Sequence, residues 1–198
     1  MFARMIDRNH LKAASYCMAK NDVVRYCLNG VLFTRNANGQ SALVSTDGYI
    51  LFAGLLGDDD NGNTEINCII PSDVIKKESK GKAPAILRQV DDTQWALGDT
   101  LFTPLDAKYP DWQRITPRKL SGVLAQYNAD NLAKAQAALN SWHGSDMCDA
   151  VQHNGNGAGL MAIESAYVVI MPYLTTAVDC KPFTWNATPQ IEEEALAA

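Results

Sequence analysis

One pattern, used three times, limits what this chain can fold into. Residues 2–6 form a short apolar run that reads as a strand. Asp7 then opens a helical stretch carrying Leu11, Ala14, Cys17 and Met18 on one face. Three runs rich in Val, Leu, Ile, Tyr and Phe follow at 25–34, 41–46 and 49–56, with turn residues Asn36-Ala37-Asn38-Gly39 and Asp47-Gly48 between them. This is a βαβββ unit. The acidic stretch 57–63 that closes it reads as a solvated connection rather than a metal loop.

The order then recurs. Residues 64–70 read as a strand, Pro71-Ser72-Asp73 signals a helix start, and an amphipathic stretch runs to Lys80. Strand candidates at 83–90, 93–97 and 100–105 follow, with turns at Asp91-Asp92 and Gly98-Asp99. A third pass begins with a strand at 122–127 and continues with a helix at 128–142 carrying Leu132, Ala135 and Leu139. It ends with strands at 148–153, 158–163 and 166–171, and Asn154-Gly155-Asn156-Gly157 marks a hairpin. No single unit buries both its helix and its sheet. Two side by side pack a helix pair against joined antiparallel strands, an α+β layer architecture, and the third is left needing a partner.

At 198 residues and 47% hydrophobic, the chain can fill one ordinary core and part of another. With 17 Lys+Arg against 22 Asp+Glu, the net charge of −5 excludes a binder that holds nucleic acid by bulk positive charge, so any DNA contact must be local. No apolar run is long enough for a membrane span and the first residues lack a signal pattern, which places the chain in the cytoplasm. Five scattered cysteines, 17, 27, 68, 148 and 180, without a CxxC pair, read as reduced thiols. The spacing of His143, Cys148 and His153, with Asp146 and Asp149 between, matches no common zinc pattern. Ser141, His143, Asp146 and Asp149 supply nucleophile, base and carboxylates, but no glycine-flanked nucleophile turn or phosphate loop accompanies them. Neither a cofactor, a metal nor an enzymatic activity is expected.

Several segments together resemble one family. Arg25-Tyr26-Cys27-Leu28-Asn29-Gly30-Val31-Leu32-Phe33 and Thr46-Asp47-Gly48 are similar to the middle domain of the bacterial DNA polymerase III beta subunit, the replication sliding clamp. Ile69-Ile70-Pro71 resembles that domain's second strand-to-helix junction. Phe102-Thr103, Lys108-Tyr109-Pro110-Asp111-Trp112 and Ile115-Thr116-Pro117 resemble its end, and residues 166–172 look like the clamp's C-terminus. The resemblance implies a DNA-clamp fold of three βαβββ units. Residues 1–117 would form one complete clamp-like domain, 118–174 half of another, and 175–198 a flexible tail. The result would be a shortened clamp of a kind that suits a phage or prophage gene.

Clamps of this family encircle duplex DNA and tether polymerases and repair proteins, and the resemblance implies the same class of activity here. DNA contacts would come from Arg8, Lys12 and Lys20 on the first helix, Lys76 and Lys77 on the second, and Arg25 and Tyr26 near single-stranded template. Solvation of a helix face explains such cations equally well, and Tyr26 reads equally as a half-buried strand residue. The family's apolar pocket for partner peptides maps onto Leu28, Thr46, Gly48, Tyr49, Leu51, Pro117, Val168, Met171 and Pro172, residues that ordinary core packing also accommodates. The family has His and Arg after Thr-Asp-Gly where this chain has Tyr49 and Ile50, and Ile170 looks like an insertion. Gln190 and Ile191 in the tail resemble the start of a clamp-binding peptide. The alternative function is a non-encircling interaction protein that modulates a host clamp or its clients. Because three units are an odd number, a homo-oligomer is expected, a tetramer or a dimer.

Overall fold

The computed structural model describes residues 2–58, 64–146 and 150–174. Strand β1 (Ala3–Ile6) leads into α1 (Arg8–Ser15), whose N-terminus is capped by Asp7 accepting from the Asn9 amide at 2.7 Å. A 3-10 turn at Tyr26–Asn29 precedes β2 (Gly30–Arg35), β3 (Gln40–Thr46) and β4 (Ile50–Asp58). The second unit comprises β5 (Ile66–Pro71), α2 (Ser72–Glu78), β6 (Ala85–Gln89), β7 (Trp95–Leu97) and β8 (Thr100–Phe102). A one-turn helix α3 (Trp112–Ile115) lies in the connection to α4 (Ala129–His143), which is followed by β9 (Gly159–Ile163) and β10 (Ala166–Ile170).

The strands form two sheets, β1-β6-β7-β8 and β5-β2-β3-β4-β10-β9, with every pairing antiparallel. The first two units exchange their opening strands: β1 pairs with β6, and β5 pairs with β2. The two halves are therefore topologically equivalent, each sheet starting with the other unit's first strand. The third unit attaches differently, with its last strand β10 running along the outer edge of β4, the last strand of unit one. The six-stranded sheet thus crosses the boundary expected at residue 117. These features match the α+β clamp fold expected from the sequence.

Side chains on one face of the sheets meet the helices in the main core. Leu11, Ala14 and Cys17 from α1 and its C-terminal extension, Val74 and Ile75 from α2, and Ala135, Leu139 and Trp142 from α4 pack there with Phe33, Phe52 and Val168. Trp142 locks the third unit to the first. Its ring stacks on His10 at 3.8 Å and approaches Gly54 so closely that a Cβ there would lie 2.5 Å from the ring, while within unit three its indole N–H donates to Ser165 Oγ at 2.9 Å and holds the ring in place. On the opposite face of the six-stranded sheet, Leu32, Val44, Leu51, Ala53, Ile69 and Val169 are covered by Leu105, Tyr109 and Trp112. The connection is directed there because Pro104 lacks an N–H with which to continue β8. The strand ends at Phe102, earlier than expected, and the Leu105 amide bonds to Ile69 O across the other sheet.

Two expected strands of the third unit are absent or reduced. Residues 122–127 are irregular, held by bonds such as Gly122 N–H to His153 O and Tyr173 N–H to Gln126 O. Of the strand expected at 148–153, a single bridge, Gln152 to Leu160, is present, while Cys148 and Asp149 lie outside the described residues. The cause is the exchange seen in the complete halves, where a first strand pairs with the second strand of the complementary unit. Among the described residues unit three has no such complement, and an apolar run without a ladder partner does not become a strand.

Candidate functional site

The turn between β3 and β4 builds the rim of a groove. Asp47 accepts from the amides of Tyr49 at 2.9 Å and Ile50 at 3.1 Å. Thr46 Oγ1 accepts from the Gly48 amide at 3.0 Å and donates to Ile50 O at 2.7 Å. Gly48 sits at φ 95°, a left-handed conformation that favours glycine, and a Cβ there would lie 2.5 Å from the Arg25 guanidinium. With its polar groups satisfied locally, the turn projects Tyr49 into solvent, 66% exposed. Lys134 of α4 pairs with the other Asp47 oxygen at 3.0 Å, and the Met171 amide bonds to Tyr49 O at 2.9 Å, so unit three fixes the same turn from both sides.

Behind this rim lies a mainly apolar cavity of about 200 Å³. Leu28, Thr46, Gly48, Tyr49, Leu51 and Met171 line it together, with Arg25 at the mouth, and these include six of the nine residues expected for a peptide site. Val168 departs from the expectation: it is fully buried and faces the helices, and its place on the groove is taken by Val169. Side chains alternate along a strand, so Val169 and Met171 share the outer face while Val168 and Ile170 share the inner one. Ile170 faces inward, in register opposite Ile50. Pro117 and Pro172 are not among the lining residues, whereas Pro110 and Ile115 from the covering connection are. The period-2 pattern of residues 166–171 carried the signal for Val169; nothing local marked Ile115, whose position depends on how the connection crosses the sheet.

The expected DNA contacts separate into two groups. Lys12, Lys20, Lys76 and Lys77 are exposed. Arg8 is not a free surface cation: its guanidinium pairs with Glu78 Oε2 at 2.7 Å and also donates to Glu78 O and Ala83 O, tying α1 to the end of α2. Burial acts to raise the Glu78 pKa, but hydrogen bonds from Thr100 and Arg8 and the Arg8 charge outweigh it and hold the carboxyl below its usual value. Arg25 pairs with Asp22 at 2.9 Å and hangs over Gly48, which makes it part of the groove's rim. The Tyr26 hydroxyl donates to Asp106 O at 2.8 Å while half of the side chain stays exposed.

The other chemical candidates have local structural ties. Ser141 Oγ donates to Asn9 O at 3.1 Å, which makes it a link between α4 and α1. His153 Nδ1 accepts from the Ala125 amide at 3.2 Å. Asp149 and Cys148 lie outside the described residues, and among those described no three of His, Cys, Asp and Glu gather as metal ligands. Cys17, Cys27 and Cys68 are free thiols, and burial pushes Cys68 up to about 12, so it stays protonated. No helix of the described residues is long and apolar enough to cross a membrane.

Comparison with known proteins agrees with this geometry at the level of fold. No protein-family model and no curated protein sequence matches the chain. Solved structures do. The DNA polymerase III beta subunit of Pseudomonas aeruginosa superposes with a TM-score of 0.65 at 16% identity, covering 88% of this chain and 67% of that one. The DNA polymerase sliding clamp of Bacillus subtilis gives 0.67 at 14% identity, over 88% and 65%. The Helicobacter pylori beta clamp bound to a DNA ligase peptide gives 0.63 at 12% identity, over 87% and 66%. The chain thus spans about two thirds of the length of the clamps it resembles, and it has the sliding-clamp fold.

Proposed function

We propose that this protein is a non-enzymatic, clamp-like processivity factor of DNA replication. It would hold DNA loosely through phosphates and tether polymerase or repair proteins by short peptides seated in the groove between units one and three. The observation that carries the reading is the groove itself. An apolar cavity on a clamp fold, with an exposed Tyr49 and a half-exposed Met171 at its mouth, offers an extended peptide both a side-chain pocket and strand-end backbone groups. A solved clamp of the same fold is bound to a DNA ligase peptide, which supports this ligand class. Exposed Lys12, Lys20, Lys76 and Lys77 suit salt-sensitive, sequence-independent contact with phosphates, and a homo-oligomer would supply further units for a ring.

Titration of a fluorescent clamp-binding peptide by anisotropy tests the reading. Tyr49→Ala and Met171→Ala, both at exposed positions, are expected to weaken binding about tenfold each with unchanged folding, the size of a well-placed contact. Unchanged affinity in both variants would remove the groove from the account. A second reading, a clamp-fold protein that modulates a host clamp without encircling DNA, is favoured by one observation: Arg8 and Arg25 are committed to Glu78 and Asp22. Capture of intact host clamp by the purified protein, with no DNA retention, would select it.

A further inference from the structure

The chain leaves the described residues beside the groove. Met171 lines the cavity, its amide bonds to Tyr49 O, and Leu174, the last described residue, follows three positions later. Three residues of backbone span at most about 11 Å, so residues 175–198, which lie outside the described residues, begin at the cavity's mouth.

Two properties of the groove suit that segment. Tyr49 and Met171 at its mouth are 66% and 42% exposed, which leaves apolar surface for an occupant. Ile115, another lining residue, sits in a stretch from 112 to 127 that holds Arg114, Arg118 and Lys119, all exposed, and no acidic residue. The segment 175–198 is complementary, with Asp179, Glu192, Glu193 and Glu194 against the single cation Lys181. Ile191 and Leu196 flank the three glutamates, so apolar anchors adjoin an acidic run as the apolar cavity adjoins the basic stretch. Phe183 and Trp185 are larger anchors, but their nearest charge is Lys181, which the basic stretch repels.

We infer that residues 190–196 occupy the groove of their own chain, with Ile191 in the apolar cavity and the glutamates toward Arg114 and Arg118, so that a partner peptide must displace them. The inference rests on the groove being a peptide site and adds its regulation. Reach permits the contact within one chain: the backbone from Leu174 to Ile191 spans up to about 55 Å, far more than the return to Met171 requires. Tethering presents the segment at an effective concentration of about 1 mM. A segment whose free form binds with a dissociation constant of about 100 μM then weakens any competing peptide about tenfold.

The full chain is titrated with a fluorescein-labelled synthetic peptide of residues 187–198 and followed by anisotropy. Ile191→Asp in the full chain disables the tethered competitor without altering a described residue, and is expected to lower the probe's dissociation constant about tenfold relative to wild type. Adding Tyr49→Ala should cancel that gain. In a background with Cys148→Ser and Cys180→Ser, Ile115→Cys with Ala195→Cys is expected to form a disulfide within one chain on mild oxidation. Met5→Cys with Ala195→Cys, on the four-stranded sheet, should not. Probe affinities for wild type and Ile191→Asp within twofold of each other overturn the inference. So does a gain that Tyr49→Ala leaves intact, or an Ile115→Cys pair whose disulfide is missing or joins two chains. A clamp-binding peptide measured on the same samples separates the two readings. If it fails to bind Ile191→Asp while the single-chain disulfide forms, the tail keeps its place in the groove and partner tethering is the reading that falls.

Discussion

Replacing Arg8 with Ala separates a structural role from a DNA-facing one. The Arg8 and Glu78 side chains are only 17% and 6% exposed, and Arg8 also donates to two carbonyls where α2 ends and the chain turns toward β6. Arg8→Ala leaves the Glu78 carboxylate buried with Thr100 as its remaining side-chain donor. Removing one member of a buried pair costs about 3–5 kcal/mol. The partial access of Arg8 to water and the surviving Thr100 bond place this case at the lower end, about 3 kcal/mol. With a urea m-value of about 2 kcal/mol/M the unfolding midpoint falls by about 1.5 M. Glu78→Gln should cost less, because the amide oxygen still accepts from Arg8 and the amide NH2 can donate to the Thr100 hydroxyl oxygen in place of the bond that Glu78 accepted. The double variant should fall short of the sum, since the second change relieves the stranded charge. Urea denaturation followed by circular dichroism measures all three. A midpoint shift under about 0.3 M for Arg8→Ala, together with weaker DNA retention, would refute the reasoning and return Arg8 to the DNA-facing set.

Other outcomes follow from the same geometry. Val168→Ala, at a fully buried inward position, is expected to cost about 2 kcal/mol in chemical denaturation with unchanged peptide affinity per folded molecule. Lys76→Glu combined with Lys77→Glu should lower DNA retention and flatten its salt dependence without changing stability, as read by filter binding across a salt series. Because the Glu78 pKa is lowered in the folded state, its contribution is fully present above its ordinary value of 4.5 and is lost as pH falls through the folded value. The stability difference between wild type and Glu78→Gln should therefore shrink below about pH 4.5 in acid titrations monitored by fluorescence.

Most of the fold was legible because alternation, helix caps and turn dipeptides are local signals. The Asp7 cap and the Asp47-Gly48 turn stand where the residues place them, and Leu11, Ala14 and Cys17 face the core. What was not legible depended on partners distant in sequence. Residues 122–127 have the composition of a strand but, among the described residues, no complementary second strand to join. Residues 26–29 instead tighten into a 3-10 turn, after a loop in which Asp22 caps the amides of Val24 and Arg25. For the site, resemblance located the Thr46-Asp47-Gly48 turn, while strand parity decided between Val168 and Val169. That Arg8 is bound by Glu78, 70 residues away, follows only from the meeting of two helices from different units.

Retention on topologically distinct DNA tests the central claim most directly. The protein is assembled on nicked circular duplex at low salt, with a clamp loader if assembly requires one, and separated by gel filtration before and after the circle is cut once. A clamp-like ring predicts that protein co-elutes with the circle and leaves when the DNA is linearised, because an encircling molecule slides off a free end. Retention that survives linearisation, or no association with the circle at all, would contradict the account.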